Sequence, residues 1–62
     1  MDVKEKALSL VERYFGGDTA RIYREYYHDK EETAVVQSVA GLLREFLGEA
    51  KGNEIVKQVF KV

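Results

Sequence analysis

The chain contains no cysteine, no proline and no tryptophan, and only one histidine among its 62 residues. Without cysteine, neither a disulfide nor a thiolate metal site can stabilise it, and one histidine leaves a structural zinc site without its usual ligands. Without proline, helix boundaries must come from glycine and capping residues. A chain of this length predicts one domain, residues 1–62, near the lower limit of independent stability.

The charges are balanced, with ten Lys plus Arg against eleven Asp plus Glu, and no basic block occurs. Nucleic acid is therefore not an expected partner. No run approaches the roughly 18 apolar residues of a membrane span, and residues 1–6 lack the apolar core of a signal peptide, so we predict no membrane association and a cytoplasmic location. The high charge content without cysteine favours a thermophilic source.

No motif for catalysis or cofactor binding is present. The chain has no P-loop, no dinucleotide-binding glycine pattern, no GxSxG and no cysteine nucleophile. We therefore predict a protein that is not an enzyme and that needs no cofactor and no metal.

The second half of the chain repeats the first. Residues 10–16, LVERYFG, align with residues 42–48, LLREFLG, so that apolar, charged and glycine positions coincide. A single helical hairpin cannot bury its apolar face alone, so two copies are expected to pack together. Before this segment and at the same offset, Val3 aligns with Val35 and Ala7 with Val39. After the glycines the offset increases by one residue, and Ile22-Tyr23 then aligns with Ile55-Val56 and Tyr26-Tyr27 with Val59-Phe60.

The run from Leu42 to Gly48, with Ile55 and Val59 behind it, resembles the helical hairpins of armadillo-like stacks such as the flagellar motor switch proteins. The resemblance covers about 20 residues in each copy. It implies packed helical hairpins, and because it includes no motif specific to that family it implies no activity.

Apolar periodicity predicts four helices, at about residues 3–15, 19–28, 30–47 and 49–61. We therefore predict an all-α fold, a small four-helix domain built from two pseudo-repeated hairpins, about 1–29 and 30–62, that assembles as a homodimer. The predicted buried positions are Val3, Ala7, Leu8, Leu10, Val11, Tyr14, Phe15, Ile22, Tyr23, Tyr26, Tyr27, Val35, Val36, Val39, Ala40, Leu42, Leu43, Phe46, Leu47, Ile55, Val56, Val59 and Phe60.

Glycines and caps predict where these helices end. Gly16-Gly17 is expected to form a left-handed end of the first helix, and Gly48 to end the third. Asp18 is expected to cap the second helix, and Asp29 with Glu32 reads as a capping box for the third. The fourth helix begins either at Glu49, with Gly52 inside it, or at Asn53.

The two copies differ on the outer face of their first helix. In the first copy that face is charged, whereas in the second it is small and nearly neutral, and Gly41 within it costs about 1 kcal/mol relative to alanine. This indicates a helix covered by a partner, most simply a second copy across a two-fold axis; the alternative is a helix flanked on both sides within one chain. The predicted interface comprises Ala34, Gln37, Ser38, Gly41, Glu45 and Tyr27, the last as an exposed tyrosine at the edge of the apolar arc.

Two clusters of charged residues have ordinary explanations. His28 lies near several carboxylates, but a histidine at the C-terminal end of a helix is favoured by the helix dipole alone, so no metal or catalytic site is assigned. Arg21 and Arg24 share a face with His28 and are interpreted as a solvated surface paired with carboxylates.

We therefore predict a non-catalytic protein-interaction module that self-associates through helix three and has a scaffolding or regulatory role, with another protein as a further partner. The alternative is a helix-turn-helix DNA-binding regulator built from helix two, the turn at 29–31 and helix three. A recognition helix needs exposed polar and basic residues, whereas no basic residue occurs between Lys30 and Arg44.

Overall fold

The computed structural model describes residues 2–61, and this range contains four α-helices and no strand. The helices are α1 (Val3–Phe15), α2 (Gly17–Tyr27), α3 (Glu32–Leu47) and α4 (Glu49–Phe60). The predicted all-α class with four helices is confirmed, as are the bounds of α1 and the start of α4 at Glu49. The predicted domain also includes Met1 and Val62, which lie outside the described residues.

A single glycine joins the helices of each hairpin. Gly16 has φ 98° and ψ 164°, and Gly48 has φ 95° and ψ 156°, a region that glycine reaches without a Cβ clash. The N–H of Gly16 donates to the Glu12 carbonyl and that of Gly48 to the Arg44 carbonyl, both at 3.0 Å. Each glycine therefore ends one helix and also begins the next, which places Gly17 inside α2.

Two predicted caps are wrong. The N-cap of α2 is Gly16, and Asp18 lies in the first turn, where its carboxylate accepts from Arg21 at 2.6 Å. The N-cap of α3 is Glu31, which makes no side-chain capping hydrogen bond, so the capping box of Asp29 and Glu32 is not formed. The N–H of Lys30 instead donates to the Tyr27 carbonyl at 3.1 Å, and this turn delays the start of α3 to Glu32.

α1 packs against the other three helices, α2 lies on α1, and α4 lies on α3. The Glu5 carboxylate accepts from Arg24 at 3.0 Å, and Lys4 donates to the His28 carbonyl at 3.0 Å, which fits α2 running back along α1. Contact between α1 and α3 joins the two hairpins. The buried core consists of Ala7, Leu8, Leu10, Val11, Tyr27, Val35, Val39, Ala40, Leu43, Ile55 and Val56.

Gly52 allows α4 to approach α3 more closely than any other residue type would. A Cβ on Gly52 would lie 2.7 Å from the Arg44 nitrogen and 2.8 Å from its Cα. These are backbone atoms, which cannot move aside as the end of a side chain can. The glycine inside α4 is therefore a packing requirement.

Candidate interaction surface

The outer side of α3 carries the predicted interface stripe. Ala34, Gln37 and Glu45 are exposed, and Ser38 and Gly41 are half-buried. A Cβ added to Gly41 would meet no atom within 4 Å. α1 and α4 pack against α3, and among these five residues Glu45 carries the only charge.

Tyr27 does not lie on this surface, which corrects its predicted exposure. Its side chain is 1% exposed, the least of the four tyrosines, and its hydroxyl donates to Ser38 Oγ at 2.9 Å. The ring also packs against Tyr23, with centroids 5.5 Å apart. Tyr27 thus joins the end of α2 to the middle of α3, and Ser38 uses its hydroxyl within the chain.

Burial raises the pKa of Tyr27 above the ordinary tyrosine value of 10.0, because the phenolate would lose its hydration. The Ser38 hydrogen bond acts in the opposite direction, and the neighbouring Tyr23 and Tyr26 add to the rise. The neutral phenol is therefore the form that the folded protein accommodates.

This shift predicts a loss of stability in alkaline solution. In the unfolded chain Tyr27 ionises at its ordinary pKa, so its contribution to stability is complete below about pH 10 and is lost as the pH rises through the folded value. The slope from this one group is at most about 1.4 kcal/mol per pH unit. Urea unfolding between about pH 8 and pH 11 should show this decline, and Tyr27→Phe should show a shallower one. If the unfolding free energy fell equally steeply with pH in both proteins, ionisation of Tyr27 would not be the cause of the decline.

Two apolar side chains of α2 that the periodicity predicts as buried are exposed. Ile22 is 68% exposed and Tyr26 is 54% exposed. α2 packs on α1, so only the side of its apolar arc nearest Tyr27 is covered. Ile55, the residue aligned with Ile22 in the second half, is buried, which shows that the two aligned positions differ in what covers them.

Phe46 is a third exposed apolar residue, at 55%, although its position in the apolar arc of α3 predicts burial. Its ring lies 4.9 Å from that of Phe15 and 6.5 Å from that of Tyr14, between centroids. The three rings form an aromatic edge at the end of α1 and α3. The contacts with Phe15 and Tyr14 leave more than half of Phe46 exposed.

The exposed side chains of α2 and the small face of α3 are connected through Tyr27. The Tyr26 ring lies 5.6 Å from the Tyr27 ring, whose hydroxyl bonds to Ser38 in the α3 stripe. We refer to Ile22 and Tyr26 of α2 and to Ala34, Gln37 and Gly41 of α3 as the α2–α3 face; Gln37 also lines a groove with Val3 and Phe60. A helical wheel places Ile22 and Tyr26 on the apolar side of α2, but it does not show which edge of that side a neighbouring helix covers.

The two arginines of α2 are paired with carboxylates. Arg21 pairs with Asp18 and Arg24 with Glu5, as the interpretation of a solvated, paired face requires. His28 is exposed, and its carbonyl accepts from Lys4. Across residues 2–61, no three potential metal ligands of the His, Cys, Asp or Glu type come together.

No helix in the described range combines the length and the apolar character needed to cross a membrane. The chain matches no protein family, no curated protein and no solved structure.

Proposed function

We propose that the chain is a non-catalytic protein-interaction module that self-associates as a homodimer through the α2–α3 face, with a scaffolding or regulatory role. The observation that carries the proposal is the outer side of α3, where Ala34, Gln37 and Glu45 are exposed and Gly41 is only half-buried, although Glu45 is the only charged residue among them. Such a face has few polar groups for water to hydrate, and its small side chains allow the backbone of a partner to approach closely.

The small residues of α3 and the protruding side chains of α2 are complementary in shape. Gly41 leaves open space on α3, while Ile22 and Tyr26 project from α2, whose last residue, Tyr27, bonds to Ser38 of α3. In a two-fold dimer the same patch meets itself, so the side chains of α2 can pack over the small residues of α3 in the partner. Tyrosine is enriched at such contacts because it combines a large apolar ring with a polar hydroxyl.

A second copy is the partner that the size of the chain favours. A domain of about 60 residues buries only about 60% of the surface that its unfolded chain exposes, and oligomerisation is a common means of stabilising such chains. Covering Ile22 would also give it the buried environment that Ile55 has in the other hairpin.

We infer that the two hairpins derive from one repeated unit. The support is local: Gly16 and Gly48 share φ and ψ values within about 10°, and both donate to the carbonyl four residues earlier. Two aligned core pairs, Ala7 with Val39 and Val11 with Leu43, are fully buried. The exposed Ile22 and the buried Ile55 mark the place where the units diverge.

DNA binding is the weaker hypothesis. α2, the turn at 28–31 and α3 have the order of a helix-turn-helix, but the exposed residues of the first turns of α3 are Glu32, Thr33, Ala34 and Gln37, without a cation. Phosphate contacts need Lys or Arg. A salt-dependent anisotropy change with duplex DNA would favour this alternative.

Sedimentation equilibrium tests the proposed dimer. We expect the average mass to rise toward twice the chain mass as the protein concentration increases from about 10 to 500 µM. Gly41→Arg should shift the protein to the monomer, because a long charged side chain would occupy the centre of the contact. Helical circular dichroism should be unchanged, since a Cβ at residue 41 meets nothing within the chain.

Gln58→Arg is the matched control, because it introduces the same charge at an exposed position of α4 away from the α2–α3 face. We expect it to leave the dimer intact. A wild-type protein that is monomeric throughout this range, with a mass unaffected by Gly41→Arg, would contradict the proposal.

A further inference from the structure

α2 is held to the rest of the chain less firmly than any other helix. It contributes one buried residue, Tyr27, whereas α1 and α3 each contribute four and α4 contributes three. Ala20 and Tyr23 pack against the core only in part. Burial of apolar side chains is the main force that docks a helix. This force is therefore weakest for α2.

The polar contacts of α2 with other elements lie toward its C-terminal end. Tyr27 bonds to Ser38, Arg24 pairs with Glu5, and Lys4 reaches the carbonyl of His28. The last two are exposed and therefore contribute little. At the other end, the ion pair between Asp18 and Arg21 lies within α2 itself and does not attach it to α1.

Both links that connect α2 to its neighbours are exposed. Gly16 has positive φ, a Cβ on it would meet no atom within 4 Å, and Gly17 follows it, so no side chain at either residue restricts the backbone dihedral angles. At the far end, residues 28–31 are all exposed.

We propose that α2 opens as a unit, hinged at Gly16-Gly17 and held closed by Tyr27 as a latch in the contact with Ser38. Opening uncovers the apolar side of α1 at Leu8, which lines the boundary between the two helices with Ala20 and Arg24. The remaining core of α1, α3 and α4 stays packed. The fold thus contains a strap that controls access to an apolar strip, a local opening distinct from global unfolding.

Native-state hydrogen exchange of the wild type and Ile55→Val tests this opening. Ile55 is buried in α4, so the substitution destabilises the packed core equally whether α2 is open or closed. Amides that exchange by global unfolding, in α3 and α4, should exchange about 2- to 12-fold faster in Ile55→Val. Amides of α2 from Arg21 to Tyr27 should be less protected in the wild type and unchanged by the substitution. Equal acceleration of α2 and α3 would overturn the proposal.

Tyr27→Phe tests the latch. It removes the hydroxyl that reaches Ser38 and keeps the ring, so α2 amides should exchange about 2- to 12-fold faster, as expected for one lost hydrogen bond. Unchanged exchange of α2 in this variant would show that Tyr27 does not hold the strap. Working at low micromolar concentration, below the expected dimer range, makes both results independent of self-association.

Discussion

Replacing Tyr27 by alanine is expected to lower the free energy of unfolding by about 3–5 kcal/mol, whereas Tyr26→Ala should change it by less than about 1 kcal/mol. The two tyrosines are adjacent in the sequence but differ in burial, at 1% and 54% exposed. Removing Tyr27 would leave a cavity beneath α2 and would also delete the bond to Ser38. Removing Tyr26 would delete a ring that is already half in water.

Urea unfolding followed by circular dichroism measures both changes at a concentration where the monomer predominates. A domain of this size has about 3–5 kcal/mol of stability in total, so Tyr27→Ala is expected to lose the docking of α2 and much of this stability at 25 °C. Tyr27→Phe should remain folded with a smaller loss, which keeps the comparison measurable. Equal effects at residues 26 and 27 would refute the assignment of Tyr27 to the core.

Gly52→Ala is expected to lower the free energy of unfolding by about 1–3 kcal/mol, although alanine is the better helix former by about 1 kcal/mol. The new Cβ would lie under 3.0 Å from three backbone atoms of α3, at Leu43 and Arg44. α4 would have to move outward, and this would loosen the packing of Ile55 and Val56. The steric term exceeds the propensity term because the opposing atoms are backbone.

Gly41→Ala supplies the matched control, since this glycine is also in the middle of a helix. Its Cβ would meet nothing within 4 Å, so only the gain in helix propensity remains, and stability should rise by about 0.5–1 kcal/mol. Thermal unfolding of the two variants should therefore shift in opposite directions. A stabilised Gly52→Ala would show that α4 does not approach α3 as closely as described.

Helix two illustrates how far periodicity can reach. The spacing of Ile22, Tyr23, Tyr26 and Tyr27 marks one apolar side, and this is sufficient to predict a helix and its orientation toward the core. It cannot predict which of the four is covered. That depends on how α2 packs on α1, because a single neighbouring helix covers only part of the apolar arc of α2.

Capping residues show a second limit. Asp18 and Asp29 have side chains suited to the ends of helices, yet neither is an N-cap in the structure. Gly16 already supplies the junction between α1 and α2, and a turn after Tyr27 moves the start of α3. Local preferences of about 1 kcal/mol are readily overridden by the geometry of chain connections.

The sequence by itself determined the all-helical class, the number of helices and the glycine junctions at residues 16 and 48, because these follow from local periodicity and from the φ values that glycine permits. It also singled out the small outer face of α3. Only the tertiary structure decided that Tyr27 is buried while Ile22 and Tyr26 are exposed, and that Gly52 is required where Gly41 is not. Burial and close approach depend on which residues of other helices lie opposite, and a repeated sequence pattern contains no information about that.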